Sequence, residues 1–266
     1  MTAPLNPSNG QEPSGAEALN IPEPSARLRS FFATEPGHRV LSAIAGYFHA
    51  TLSGAEHIPT HGGALVVSNH ALFALDTAVF AALIVRDLGR FPRFLGDRNL
   101  WKIPGLRELI EAVGALPGEP HAAASLLRQG ELVMVYPGGV DDSLKTSSER
   151  YQLKWKARSG FARVALMARV PIVPVVGVGI DDMYSILGHE RWLGRRIFGS
   201  ARYDLPLAFG AFGTILPRRA PQKYLVLPPI TAHGDPDSKA DVEQLRARVH
   251  DALEAHLSVL RAARST

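Results

Sequence analysis

The sequence predicts an α/β fold: a single domain with a mostly parallel central sheet flanked by helices, preceded by short amphipathic helices. Short apolar runs such as residues 64–68 (ALVVS) and 172–178 (IVPVVGV) are typical of buried strands. Segments with helical spacing lie between these runs, and such alternation is typical of a parallel sheet covered on both faces. The 266 residues, 46% of them hydrophobic, suffice for one large domain of this kind.

The predicted elements follow in order along the chain. Two short helices come first, at residues 27–33 and 39–51, with a break at Glu35-Pro36-Gly37. Strands are predicted at residues 64–68, 93–95, 131–136, 172–178 and 224–227. Helices are predicted at residues 77–88, 105–113, 121–127, 159–168 and 238–263. Residues 27–266 therefore form one domain, and residues 1–26, rich in Pro, Ser, Gly and Asn, are expected to be a disordered leader.

Composition and charge exclude several classes of protein. Without cysteine, the chain has no disulfide, thiolate nucleophile or cysteine-based zinc site. The net charge is +4, and residues 145–202 hold 11 basic against 4 acidic residues. Residues 191–198 (RWLGRRIF) mix arginine with aromatic rings, as a segment at a membrane lipid surface does, although on these residues alone a solvated face with a few core anchors is the more common interpretation. No basic run is interleaved with aromatics as in a single-strand groove, so nucleic acid is not expected.

Targeting signals are not evident in the sequence. Residues 1–26 contain no Lys or Arg and no apolar core, unlike a signal peptide. A spanning helix needs about 20 apolar residues in a row, and no run in the chain reaches that length. We therefore expect a cytoplasmic protein that associates with the membrane peripherally and has no transmembrane helix.

Two loops at the carboxyl ends of predicted strands carry candidate chemistry. In the first, His70 follows a buried strand and Asp76 stands where the next helix begins. A carboxylate that holds an imidazole in one tautomer creates a general base. Six positions apart on a regular helix, the two side chains would point about 240° apart, so they meet only if the loop is irregular. The alternative is a loop histidine with Asp76 as a helix N-cap.

The second loop contains Tyr136-Pro137-Gly138-Gly139. Two glycines after a buried strand let backbone N–H groups approach an oxyanion or a phosphate, although Pro-Gly-Gly by itself is also an ordinary turn.

Taken together, these segments resemble the glycerolipid (lysophospholipid) acyltransferase family. Asn69-His70 with Asp76, then Tyr136-Pro137-Gly138-Gly139, then residues 170–174 (VPIVP) match in order its blocks NHxxxxD, FPEGTR and VPIVPV. Five residues between His and Asp, the PGG form of the third block, and residues 151–155 (YQLKW) followed by 160–162 (GFA) resemble the diacylglycerol-acyltransferase-like branch. The resemblance covers about residues 40–230.

The resemblance implies transfer of an acyl group from acyl-CoA, or from an acyl-carrier protein, to a hydroxyl on a lipid. By this analogy His70 is the general base and Asp76 orients it. Because the thioester is already activated, neither a covalent intermediate nor a metal or other cofactor is expected. The candidate substrate or oxyanion contacts are Asn69, Tyr136, Pro137, Gly138 and Gly139.

The sequence departs from the family pattern where phosphate-using members carry arginine. Asp141 occupies that position and Asp142 follows it, and residues 113–119 lack the second block's arginine. Two carboxylates repel a phosphate, which favours a neutral acceptor such as a monoacylglycerol or a diacylglycerol. Basic residues elsewhere are candidate contacts for CoA or a lipid headgroup. They are Arg98, Lys145, Arg150 and Lys154.

Other classes remain open at this point. A metal site would use His57 and His61 with His70 and Asp76, but their spacing matches no zinc motif. A serine hydrolase lacks its G-x-S-x-G elbow here. A catalytically inactive lipid-binding or scaffold protein on the same fold is the principal alternative, because the third block is altered.

Overall fold

The computed structural model describes residues 24–103, 105–190 and 205–265. Most of the predicted leader (residues 1–23) and the interfacial segment 191–198 lie outside the described residues. The helices are α1 Ala26–Phe32, α2 Glu35–Tyr47, α3 Leu75–Leu88, α4 Leu106–Ala112, α5 Pro120–Arg128, α6 Val140–Ser143, α7 Gly160–Ala168 and α8 Lys239–Ser265. The strands are β1 Thr51–Ser53, β2 Ala64–Ser68, β3 Arg93–Gly96, β4 Ala115–Pro117, β5 Leu132–Val135, β6 Ile172–Val178, β7 Ser185–Glu190, β8 Leu205–Phe209 and β9 Lys223–Val226.

The predicted break at Glu35-Pro36-Gly37 is wrong, because α2 begins at Glu35. The Thr34 side chain caps this helix by accepting the Gly37 N–H. Pro36 lies in the first turn, where a backbone N–H has no intrahelical partner and proline is favoured. The two helices instead separate at Ala33 and Thr34, and α2 ends at Tyr47, short of the predicted residue 51.

Seven strands form the central sheet in the order β1-β9-β6-β2-β5-β3-β4. Neighbouring strands are parallel except β9, which runs antiparallel to β6. The mostly parallel α/β domain predicted from the sequence is therefore confirmed. Since β2 lies between β5 and β6, the loops that follow these three strands meet at one edge of the sheet.

Alternate residues of β2 face two separate cores. Leu65 and Val67 pack toward α5, α7 and α8, whereas Ala64 and Val66 pack toward α2 and α3. Burial on both faces explains why this strand is a continuous apolar run. None of the described helices is both long and apolar enough to cross a membrane.

Candidate active site

The loop between β2 and α3 brings His70 and Asp76 into contact. The Nδ1 atom of His70 lies 2.9 Å from Oδ2 of Asp76. Phe73 and Ala74 both adopt left-handed backbone conformations, with φ of 60° and 53°, and they supply the irregular turn that the spacing requires. Asp76 is not the N-cap of the helix, since α3 begins at Leu75. The pair therefore has the geometry of an imidazole oriented by a carboxylate.

The buried contact with Asp76 determines which nitrogen of His70 is the base. The Asp76 side chain is 2% exposed and the His70 side chain 13%. A carboxylate on Nδ1 favours the tautomer in which Nδ1–H donates to Asp76, which leaves Nε2 as the proton acceptor. Among the described residues none hydrogen-bonds to Nε2.

The first loop residue after β5 packs directly on the histidine. The ring of Tyr136 stacks on the His70 ring with centroids 3.9 Å apart and planes 20° apart. The Thr77 hydroxyl donates to the Tyr136 hydroxyl at 2.8 Å. Burial and the negative charge of Asp76 raise the pKa of Tyr136 well above its ordinary value, so the phenol stays neutral. Tyr136 thus fixes the imidazole plane, a role that sequence spacing alone does not reveal.

Asn69, predicted as a substrate or oxyanion contact, is instead engaged within the sheet. Its Nδ2 donates to the Gly177 carbonyl at 2.9 Å, and its Oδ1 accepts the Gly177 N–H at 2.8 Å. The side chain is fully buried. Because both ends of the amide bond to β6, Asn69 fixes the start of the His70 loop against the neighbouring strand.

Gly138 and Gly139 differ in what their amides do. The Gly139 N–H donates to the Tyr136 carbonyl at 2.9 Å and closes a turn. Its backbone, at φ 51° and ψ −132°, is a conformation available mainly to glycine. A Cβ on Gly138 would lie 2.1 Å from Cγ of Asp142, so this position requires glycine as well. Gly138 is itself buried, and none of the described residues accepts its N–H.

Arg158 stabilises the loop that contains Pro137 and Gly138, and the sequence analysis did not predict it as a site residue. Its guanidinium donates to the carbonyls of Pro137 and Gly138, and to the carboxylate of Asp141. Lys156 also donates to Asp141, at 2.8 Å. Although burial raises the pKa of Asp141, these hydrogen bonds lower it overall. No local sequence pattern marks Arg158, since its partners lie 17 to 21 positions away.

Asp141 and Asp142 are therefore not the two free carboxylates that were expected to repel a phosphate. The charge of Asp141 is already met by Lys156 and Arg158. Asp142 is fully buried, and burial raises the pKa of its carboxyl.

Three of the four predicted headgroup contacts are ion-paired within the protein. Lys145 is buried, with its Nζ 3.2 Å from Asp181. The remaining pairs are Arg150 with Asp182 at 3.6 Å and Lys154 with Glu149 at 2.5 Å. Arg98 is different, because it is exposed and, among the residues that the structure describes, donates to the Gly118 carbonyl alone. In the described part of the chain, several of the basic residues between 145 and 202 are thus already paired with carboxylates.

The histidines of the proposed metal site do not come together. His57 Nδ1 lies 3.0 Å from the Val226 carbonyl oxygen, and His61 is exposed ahead of β2, at the edge opposite His70. Within residues 24–103, 105–190 and 205–265, no three His, Asp or Glu side chains are grouped as metal ligands.

The fold and the site define a class of α/β proteins with a histidine–aspartate pair at the carboxyl edge of a parallel sheet. The chain belongs to the acyltransferase family, whose model matches residues 49–178.

Named relatives are similar over most of this chain. It is 34% identical over 205 residues to the "DGAT1/2-independent enzyme synthesizing storage lipids" of Bos taurus and to the human protein of the same name. The match covers 76% of this chain but only 57% and 59% of those relatives. An uncharacterised protein of Mycobacterium tuberculosis is 30% identical over 198 residues, covering 73% of this chain and 54% of that protein.

A solved structure has the same fold. The 1-acyl-sn-glycerophosphate acyltransferase PlsC of Thermotoga maritima superposes with a TM-score of 0.51 over 88% of each chain, at 19% identity.

Proposed function

We propose that this protein transfers a fatty acyl group from acyl-CoA, or from an acyl-carrier protein, to a hydroxyl of a lipid alcohol. The observation that carries the proposal is the 2.9 Å contact between His70 Nδ1 and Asp76, which leaves Nε2 free to act as a general base. Membership of the acyltransferase family supports the same reaction.

The reaction needs one proton to move twice. Nε2 of His70 removes the proton of the acceptor hydroxyl while that oxygen attacks the carbonyl carbon of the thioester. The C–S bond then breaks, and the departing thiolate takes the proton from Nε2. Asp76 stabilises the imidazolium that exists between the two transfers, and no covalent enzyme intermediate is formed.

The tetrahedral oxyanion needs a donor close to His70. The Gly138 N–H is the donor best suited to this task, because Gly139 uses its own N–H within the turn. Tyr136, Pro137 and Gly139 act by holding the turn in place. A single donor of this kind typically stabilises a transition state by about 3–4 kcal/mol.

A neutral acceptor, such as a monoacylglycerol or diacylglycerol, fits the charges at the site better than a lysophospholipid does. A phosphate would have to compete with Asp181 for Lys145 and with Asp182 for Arg150. The bovine and human relatives are named as enzymes that synthesise storage lipids, which favours the same choice. Arg98, which is exposed at the edge where β3 ends, is the basic residue best placed for the phosphates of CoA.

We further propose that the protein works at the cytoplasmic surface of a membrane without crossing it, since acceptor and product are both lipids.

A panel of substrates tests the reaction and the acceptor together. Purified protein would be offered acyl-CoA of several chain lengths with monoacylglycerol, diacylglycerol, a long-chain alcohol and lysophosphatidate, and both thiol release and the lipid product would be measured. We expect a new ester on a neutral acceptor. Product with lysophosphatidate alone would contradict the choice of acceptor, and no release with any pair would favour a lipid-binding protein without activity.

A further inference from the structure

An exposed apolar loop lies next to the site and plays no part in the chemistry described above. Residues 210–216, called the Phe212 loop from here on, connect β8 to the segment before β9. The loop presents Phe212, which is fully exposed, together with Ile215 at 81% and Leu216 at 60% exposure. Three large apolar side chains on one short loop are uncommon on a surface that only water contacts.

Backbone hydrogen bonds within the Phe212 loop give it a defined conformation. The Gly210 N–H donates to the Thr214 carbonyl at 2.6 Å, and the Ala211 N–H donates to the Leu216 carbonyl at 2.7 Å. Phe212 is held in the left-handed region, at φ 54°. Such a conformation is unfavourable for phenylalanine, so the fold maintains strain to expose this ring.

One tyrosine links the Phe212 loop to the catalytic loop. The Tyr184 hydroxyl donates to the Ile215 carbonyl at 2.9 Å. The ring of Tyr184 meets the ring of Phe73 edge to face, with centroids 5.5 Å apart. Phe73 lies between His70 and Asp76 in the chain and is 60% exposed. The buried Tyr184 thus contacts both the Phe212 loop and the loop that carries the base, so these two loops are neighbours.

The segment that follows the Phe212 loop is basic. It contains Arg218, Arg219 and Lys223, and no acidic residue occurs between residues 205 and 234. Arg219 and Lys223 are exposed. The Arg219 side chain lies over the Tyr47 ring, 5.3 Å from its centroid, and Tyr47 donates to the Pro217 carbonyl. Apolar side chains flanked by cations fit the interface of a bilayer that contains anionic lipid.

We propose that the Phe212 loop, together with Phe73, is the surface by which this protein docks on a lipid bilayer with anionic headgroups. Docking there places the His70 loop at the bilayer surface, so a lipid acceptor reaches Nε2 without passing through bulk water. The inference rests on the proposed function only for the identity of that acceptor, because docking is measurable without any reaction.

Flotation with vesicles tests docking directly. Full-length protein would be mixed with vesicles of phosphatidylcholine and phosphatidylglycerol in equal parts, and with vesicles of phosphatidylcholine alone. The test variant is Phe212→Asn with Ile215→Asn, and at position 212 asparagine suits the left-handed backbone. The matched control is Leu109→Gln with Val259→Gln, which removes two exposed apolar side chains from α4 and α8.

We expect the loop variant to lose about tenfold or more of its partitioning onto mixed vesicles while the control binds like wild type. Binding of wild type should fall on vesicles without phosphatidylglycerol. Equal binding of wild type and the loop variant would overturn the proposal. A wild-type dimer that becomes monomeric in the loop variant on gel filtration would also overturn it, since a second copy would then cover the loop.

Activity separates this proposal from the proposed function. With a short-chain acceptor dissolved in water, the loop variant should match wild type, whereas with the acceptor in vesicles it should be slower. A loop variant that is equally slow with both acceptors would contradict a docking role. Absence of acyl transfer in every protein would refute the proposed function and leave the flotation result to decide docking.

Discussion

The Nδ1 atom of His70 lies 2.9 Å from Oδ2 of Asp76 because Phe73 and Ala74, two consecutive residues between them, adopt left-handed backbone conformations. On a regular helix the two side chains would diverge by about 240°. Each left-handed residue costs about 1–3 kcal/mol, so the rest of the loop stabilises a strained turn. The general base is thus assembled by backbone geometry as much as by residue identity.

That strain gives a prediction at Ala74, whose side chain is exposed. Ala74→Val should lower kcat about tenfold or more, because a β-branched residue resists the left-handed region and the His70–Asp76 contact is lost. Ala74→Asn should keep near-normal activity, since asparagine tolerates that region. The two variants change the same exposed position but differ in how well the new residue tolerates a left-handed backbone. Steady-state kinetics should therefore separate them, and equal activity would contradict the role given to the turn.

Asn69 is expected to act through His70 as a positioning residue. In Asn69→Leu the N–H and C=O of Gly177 lose their buried partners, at about 1–3 kcal/mol for each group. Urea unfolding should show that loss of stability, and kcat should fall much more than KM changes. A variant with normal kcat would show that the loop holds without this pair of hydrogen bonds.

Gly139 is expected to tolerate no side chain. Gly139→Ala forces a Cβ onto a backbone at φ 51° and should destabilise the fold by about 1–3 kcal/mol. The control is Gly62→Ala, at φ 79° in an exposed position far from His70. Thermal denaturation should show similar losses for both variants, but only Gly139→Ala should lose acyl transfer. Equal activities would remove the turn from the mechanism.

Stability at acid pH provides a further prediction. Although burial raises the pKa of Glu149, hydrogen bonds from Lys154 and Thr146 lower it from 4.5 to about 2. Glu149 therefore contributes stability above pH 4.5, and this contribution is lost as the pH falls toward about 2. Glu149→Gln should unfold at lower urea than wild type at neutral pH, and the difference should shrink across that acid range. A difference independent of pH would contradict the charge-based account.

The strands whose bounds were predicted correctly from the sequence are those that consist of a continuous apolar run. Residues 64–68 and 172–178 were predicted with the observed bounds, because continuous apolar runs of this kind fit strands buried on both faces. The short strands β1 and β4 were missed, since three residues carry no period. The same applies to the β7–β8 pair, which is stabilised by cross-strand contacts rather than by a local pattern.

Within the site, residues were predicted correctly where their partners are close in sequence. His70 and Asp76 were found because they are six positions apart and a histidine with a carboxylate is typical of general-base catalysis. The role of Asn69 was not predicted, because its partner Gly177 lies 108 positions away. The basic residues of the site were misjudged for a related reason, as the sequence shows the charge of Lys145 but not the buried contact with Asp181.

The central claim is that His70, oriented by Asp76, is the general base of an acyl transfer. Acceptor-dependent thiol release from acyl-CoA should be measured for wild type, His70→Ala, Asp76→Asn and the control His61→Ala, with circular dichroism to confirm folding. We expect losses of about 10²–10⁴-fold for His70→Ala and Asp76→Asn, and no loss for His61→Ala. Release in folded His70→Ala at the wild-type rate would contradict the mechanism.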